Sequence, residues 1–199
     1  MPEGAPVVPV SETLSSLRWN QDKCLVEVID QTLLPHALHW IELADLDDYC
    51  HAISAMQVRG APLIGITAAF GLAHALARDS STENLHAASR SLLATRPTAV
   101  NLRWALDAVI ADVHELDPAG RADAALARAQ ALRASDIASC SRIGEHGLQL
   151  LRALRSAGTL NIMTHCNAGW LATIEWGTAL APVYKAHREG IPVHVWVSE

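Results

Sequence analysis

The run Asn161-Ile162-Met163-Thr164-His165-Cys166-Asn167-Ala168-Gly169 enters on apolar residues and leaves on Asn-Ala-Gly. Directly after it, Trp170 to Trp176 repeats apolar positions at helical spacing. The predicted order is strand, tight turn, helix, because Asn and Gly tolerate the backbone angles a tight turn needs. A helix start in this place offers unpaired N–H groups and the positive end of a dipole, both suited to an anion. A cysteine there has a lowered pKa and more thiolate. Spacing alone leaves a second reading open, a buried structural cysteine at a strand end.

Toward the carboxyl end, Gly190-Ile191-Pro192 reads as a turn and Val193 to Val197 as the next strand. Strand, helix and strand in this order imply a parallel pair and a doubly wound sheet. Ligands in such sheets sit beyond the carboxyl ends of the strands, which favours a functional Cys166. Two parallel strands do not bury both of their faces. Further strands and helices beyond Glu199, or a partner, are therefore expected. Toward the amino end, Ser156-Ala157-Gly158 closes a long helical stretch from Arg121 to Arg155, with interruptions expected near Gly144 and Gly147. Asp117-Pro118-Ala119-Gly120 marks the expected boundary. The predicted organisation is a flexible tail over residues 1–16, a β/helical domain over 17–120, and a linking helix with the first βαβ unit over 121–199.

Within the first domain, Leu17–Trp19, Cys24–Ile29 and His39–Leu43 read as a small antiparallel sheet. Asp45 is the predicted N-cap of a helix through Met56. Val58-Arg59-Gly60-Ala61-Pro62 breaks that helix and opens another, Leu63 to Ala77, rich in small residues and expected to be buried. Helices are also predicted from Thr82 to Ala94 and from the Thr95–Asn101 break to Ala111 or beyond. Arg59 and Arg96 share one device, an arginine at a break just ahead of a helix start. Either each caps a helix or snorkels to water, or both converge on one oxyanion, most naturally a phosphate.

The 199 residues are half hydrophobic, with a net charge of −6, which suffices for a sizeable core. The absence of a basic run argues against nucleic acid as the main partner. A membrane span is not expected, since the apolar runs are read as shorter than about 18 uncharged residues. The start MPEGAPVVPVSE lacks the features of a signal peptide and reads as a disordered or strand-swapping tail. Four scattered cysteines without a CxxC suit a reducing cytoplasm. His36 and His39 have no Cys or carboxylate at ligand spacing, so no metal is expected.

Five motifs taken together resemble the 5-methylthioribose-1-phosphate isomerases: IDQTLLP (Ile29–Pro35), VRGAPLIG (Val58–Gly65), TRPTAVNL (Thr95–Leu102), IGEHG (Ile143–Gly147) and THCNAG (Thr164–Gly169). That family shares its fold with the regulatory subunits of translation initiation factor 2B and with ribose-1,5-bisphosphate isomerases. The resemblance runs in order from about Leu17 to the last residue. It implies an α/β fold, a small N-terminal β-plus-helical domain followed by the start of a Rossmann-like domain, usually in a homodimer. The implied reaction converts 5-methylthioribose 1-phosphate to its ketose isomer in methionine salvage, with no metal or nucleotide cofactor. Arg59, Gly60, Ala61 and Arg96 correspond to the family's phosphate-holding residues, and Cys166 to its active-site cysteine. Asn167, Ala168 and Gly169 would donate backbone N–H groups to the substrate.

A sugar phosphorylated on its anomeric oxygen is locked as a ring. An acid must protonate the ring oxygen as it opens, and hydrogen then moves from C2 to C1, through an enediol or as a hydride. Fixing the phosphate positions both carbons, and positioning contributes about 7–11 kcal/mol. Cys166 fits either an acid/base role or stabilisation of developing charge. The family's catalytic Asp lies beyond residue 199, so the segment alone is expected to hold half a site and to show little turnover. Ser198 also departs from the family, where an Asp is common.

Two alternatives share the fold: a non-catalytic regulatory subunit of the initiation-factor kind, and a sister isomerase acting on ribose 1,5-bisphosphate or a 5-deoxyribose 1-phosphate. Cys166 with both arginines speaks against the first. The lining near the 5-substituent separates the others: apolar for methylthio, basic for phosphate. Trp19 and Trp170 point to an apolar lining, although core packing is the plainer role for each. Trp104, Trp176 and Trp196 are read as packing residues, and Glu145 and His146 as structural. His165 is expected on the strand face opposite Cys166, and His187 and Arg188 at a helix carboxyl end that the dipole explains.

Overall fold

The computed structural model describes residues 14–154 and 158–198. Most of the expected tail, the Ser156-Ala157 turn and Glu199 lie outside them. β1 (Leu17–Asn20), β2 (Leu25–Ile29) and β3 (Trp40–Leu43) form an antiparallel meander in which Leu17 opposes Val28 and Val28 opposes Ile41. α1 (Leu46–Ser54) starts at Asp45 with a reciprocal capping box: Asp48 N–H donates to the Asp45 carboxylate, and Asp45 N–H to that of Asp48. α2 (Ala61–Arg78), α3 (Thr82–Thr95) and α4 (Val100–Val113) follow.

α2 is the hub. Leu63, Ile66, Phe70, Leu72 and Leu76 are buried on its several faces and pack with Leu17, Val28, Tyr49, Leu102 and Leu106 in one cluster. Burying each such side chain stabilises the fold by about 1.5–3 kcal/mol. By length and composition α2 is apolar enough to cross a bilayer, contrary to the expectation that no run reaches that length; here its apolar surface is consumed by the core. At its far end the His74 ring joins three elements. Nε2 meets the Cys24 carbonyl at 2.8 Å and so donates, which leaves Nδ1 to accept from the Tyr49 hydroxyl at 2.6 Å.

α5 (Pro118–Ala153) is one unbroken helix of 36 residues. The interruptions expected at Gly144 and Gly147 do not occur. A Cβ on Gly147 would lie 2.2 Å from Pro182 Cγ, and one on Gly144 2.7 Å from Lys185 Cε. These glycines flatten the α5 surface onto which α6 (Ala181–Arg188) is laid. Ala125, Ala129 and Leu132 of α5 belong to the main core, whereas Leu148 joins a second cluster with Ala186 and Ile191. The buried Arg121 guanidinium donates to the Leu116 and His114 carbonyls beyond α4, to the Ser80 carbonyl and to the Thr82 hydroxyl at the start of α3.

β4 (Leu160–His165) and β5 (Val193–Ser198) pair in parallel, Leu160 opposite Val193 and His165 opposite Ser198, with α6 between them in sequence. The expected parallel unit is present, but the helix predicted directly after Cys166 is not. Residues Trp170–Ala172 make a single 3₁₀ turn, and the next helix starts at Ala181. Trp176 and Gly177 both have positive φ, +66° and +73°, which no α-helix accommodates. Tertiary contacts hold the intervening loop: Ser16 N–H donates to the Ile174 carbonyl, and Ile174 N–H to the Asp136 carboxylate of α5 at 2.9 Å.

Trp104 and Trp196 are 56% and 60% exposed, so neither packs in a core. Trp196 meets His194 edge-on and donates to Asn161, while Trp176 lies under Lys185 and Arg188.

Candidate functional site

Arg59 immediately precedes Gly60, the N-cap of α2, and no side chain caps that helix start. The N–H groups of its first turn are therefore available to an anion. Gly60 has φ +96°, and a Cβ there would lie 2.4 Å from Ala172 Cα. Only glycine both takes this backbone angle and lets the 3₁₀ turn approach so closely. Arg96 caps the end of α3, four residues ahead of Val100 where α4 begins. Among the described residues neither guanidinium is paired with a carboxylate.

Cys166 follows β4, and its N–H extends the parallel ladder by one bond to the Ser198 carbonyl, 3.0 Å. Its φ of +66° is left-handed. A non-glycine residue in that region costs about 1–2 kcal/mol and marks a position that its surroundings over-determine. The thiol is exposed at the carboxyl end of the strand pair, so the buried structural cysteine is not what the fold contains. The helix dipole expected to act on it is also missing, because no helix begins there.

Two adjoining cavities share Arg59, Cys166 and Asn167 in their linings. One, of about 410 Å³, brings together Arg59, Gly60, Ala61, Arg96, Cys166 and Asn167, with Thr173 and Thr178 at its side. The other, of about 420 Å³, adds Ala168 and Gly169 and is walled by Leu34, Pro35, Trp170, Leu171, Leu180, Tyr184 and Val197. Arg59 is the one charged residue in this second lining among the described residues. Arg59, Gly60, Ala61, Arg96, Cys166, Asn167, Ala168 and Gly169 thus all lie on one bilobed cleft, cationic at one end and apolar at the other. Of the two tryptophans expected near an apolar pocket, Trp170 is there, whereas Trp19 stacks on Phe70 in a separate place. His165 faces away, its ring at 3.0 Å from the Ser198 hydroxyl. Glu145 pairs with Lys185 on the α5–α6 surface, outside the cleft.

Gln31, Thr178 and Tyr184 also line the cleft; Gln31 falls within the IDQTLLP motif but carried no assigned role, and Thr178 and Tyr184 had no local signal in the sequence. Burial pushes the Tyr184 phenol above its ordinary value, so it enters the cleft as a neutral hydroxyl. The Thr164 hydroxyl is buried without a partner among the described residues.

The family model for the initiation factor 2 subunit family matches residues 57–199. The chain belongs to the initiation factor 2 subunit family. It is 58% identical to the methylthioribose-1-phosphate isomerase of Dechloromonas aromatica, over 92% of this chain and 51% of that protein. It is 53% identical to the methylthioribose-1-phosphate isomerase of Rhodospirillum rubrum, over 87% of this chain and 47% of the relative. Among solved structures, the 5-methylthioribose 1-phosphate isomerase of Pyrococcus horikoshii superposes with a TM-score of 0.80 at 29% identity, over 98% of this chain and 55% of that one. The delta subunit of translation initiation factor eIF-2B from A. fulgidus superposes with a TM-score of 0.79 at 32% identity, over 93% of this chain and 54% of that one. The chain spans about half the length of the curated relatives it matches.

Proposed function

We propose that this family member serves the aldose–ketose isomerisation of 5-methylthioribose 1-phosphate in methionine salvage. The convergence of two guanidiniums that pair with no carboxylate among the described residues and an uncapped helix start beside an exposed thiol carries the reading. Arg59, Arg96 and the Gly60–Ala61 turn would hold the 1-phosphate, each charge-assisted bond contributing about 1.5–3 kcal/mol. Cys166 and Asn167 then face C1 and C2, where hydrogen is moved between carbons. The thiol serves as acid/base or stabilises the charge that develops as the ring opens. The apolar lobe favours an uncharged 5-substituent: a second phosphate would sit among Leu34, Trp170 and Leu171 with one cation, Arg59, already engaged. Similarity of fold does not separate isomerase from regulatory subunit, since both kinds of structure superpose equally well; the cleft residues favour the enzyme.

The same reading takes the parallel strands as the start of a Rossmann-like sheet and keeps the division near residue 120, with α5 as the element common to both parts. It also assigns the protein to a reducing cytoplasm, in keeping with four free cysteines, and to a homodimer without nucleic acid or membrane as partner.

The experiment is protection of Cys166 from iodoacetamide, followed by peptide mass spectrometry because Cys24 is exposed too. 5-Methylthioribose 1-phosphate is expected to protect it, with ribose 1,5-bisphosphate about tenfold weaker, the worth of about 1.4 kcal/mol. No protection by either sugar, or the reverse order, contradicts the proposal.

A further inference from the structure

We propose that Gln31, backed by Asp30, is a positioning residue that sets the width of the cleft by tying its two walls together. This rests on the anion-site reading above and adds residues that touch neither phosphate nor thiol. Gln31 is 8% exposed and bonds in two directions. Its main-chain N–H donates to the Gln57 carbonyl at 2.9 Å, two residues ahead of Arg59. Its side-chain amide donates to the Leu171 carbonyl at 2.7 Å, in the 3₁₀ turn of the opposite wall. Leu171 immediately precedes Ala172, whose backbone abuts Gly60. The contacts 31–57, 31–171 and 60–172 therefore close a ring that runs through the Arg59 backbone.

Asp30 makes the ring stiff. One carboxylate oxygen accepts from the Thr32 N–H at 2.9 Å and the Thr32 hydroxyl at 2.6 Å; the other accepts from the Gln57 amide at 3.0 Å. Burial pushes this carboxyl up, and the hydrogen bonds from Thr32 and Gln57 outweigh it, so it is held below the ordinary 3.8 and stays ionised. Gln57 is thus gripped by backbone and side chain from consecutive residues, and its neighbour Val58 is pinned by N–H to the Ala52 carbonyl at 3.1 Å. A guanidinium on an otherwise exposed loop acquires a fixed origin, and misplacement by about 1 Å is enough to cost large factors at such sites.

The test uses inorganic phosphate as the probe and the same Cys166 protection as the readout, with thermal unfolding measured alongside. Gln31→Met keeps the volume and removes the donor; Gln57→Met cuts the Asp30 grip and serves if the first variant does not fold. The expected result is an apparent phosphate Kd raised about tenfold, with Tm lowered by only a few degrees. A Kd within about twofold of wild type, whatever the Tm, overturns the proposal and leaves the anion site standing. Absence of phosphate protection in the wild-type chain overturns the anion site itself, and this inference with it.

Discussion

At the scale of single residues, the cleft is a matter of charge without partners. Arg59 and Arg96 are close to the same cavity and to no carboxylate that pairs with them among the described residues. Replacing either with Ala is expected to weaken phosphate protection of Cys166 by about 10- to 100-fold, the worth of one charge-assisted contact. Tm should stay within a few degrees of wild type, since neither side chain supports the core. Cys166→Gly gives a separate check on backbone strain. The left-handed φ of +66° means glycine relieves what cysteine costs, so the urea midpoint should hold or rise, whereas Cys140→Gly at a buried helical position should lower it. Arg59, Arg96 and Cys166 were legible in the sequence because each sits at a visible break with Gly, Pro or Asn beside it. Gln31 was visible only as part of the IDQTLLP motif, since its bond to Leu171, 140 residues away, exists only after folding, and Tyr184 had no signal because folding alone brings it to the cleft.

At the scale of elements, the three N-terminal strands, α1 to α4 and the parallel pair follow from apolar period, caps and breakers. The segment after Cys166 does not. Trp170 to Trp176 has helical spacing, yet Thr173, Ile174 and Glu175 are claimed by other partners: the Thr173 hydroxyl takes Gly177 N–H, and Asp136 takes Ile174 N–H. Long-range bonds overrode a local pattern. Gly144 and Gly147 misled in the opposite sense, since glycine reads as a helix breaker when its purpose here is to admit α6. Gly147→Leu should push α6 off α5 and lower Tm by several degrees, with overpacking typically costing about 1–3 kcal/mol.

Two carboxylates give the fold opposite pH signatures. Burial raises the Asp136 pKa, only partly offset by the Ile174 N–H. The folded state therefore binds the proton more tightly than the unfolded chain, and stability rises as pH falls from that raised value toward 3.8. Asp136→Asn, which still accepts from Ile174, should flatten that rise in urea midpoint against pH. Asp30, held below 3.8, contributes stability that is lost only as pH falls further, through its folded-state value.

At the scale of the molecule, the cleft exists because two cores meet over one helix. α5 runs from the main cluster at Ala125 to the second at Leu148, and Gly60 lies against the Ala172 backbone where the two walls meet. Gly60→Ala places a methyl on that backbone contact and should weaken phosphate binding at least about tenfold while also lowering Tm. One face of the β4–β5 pair leaves Met163 75% and Trp196 60% exposed, in keeping with the expectation from two parallel strands alone. The most direct measurement is a crystal structure with 5-methylthioribose 1-phosphate bound. The phosphate should lie within about 2.7–3.2 Å of donors from both Arg59 and Arg96 and from the first turn of α2, with the methylthio group against Leu34, Trp170 and Leu171. A sugar phosphate seated on any other surface, or with either guanidinium disengaged, would contradict the assignment of these residues to one anion site.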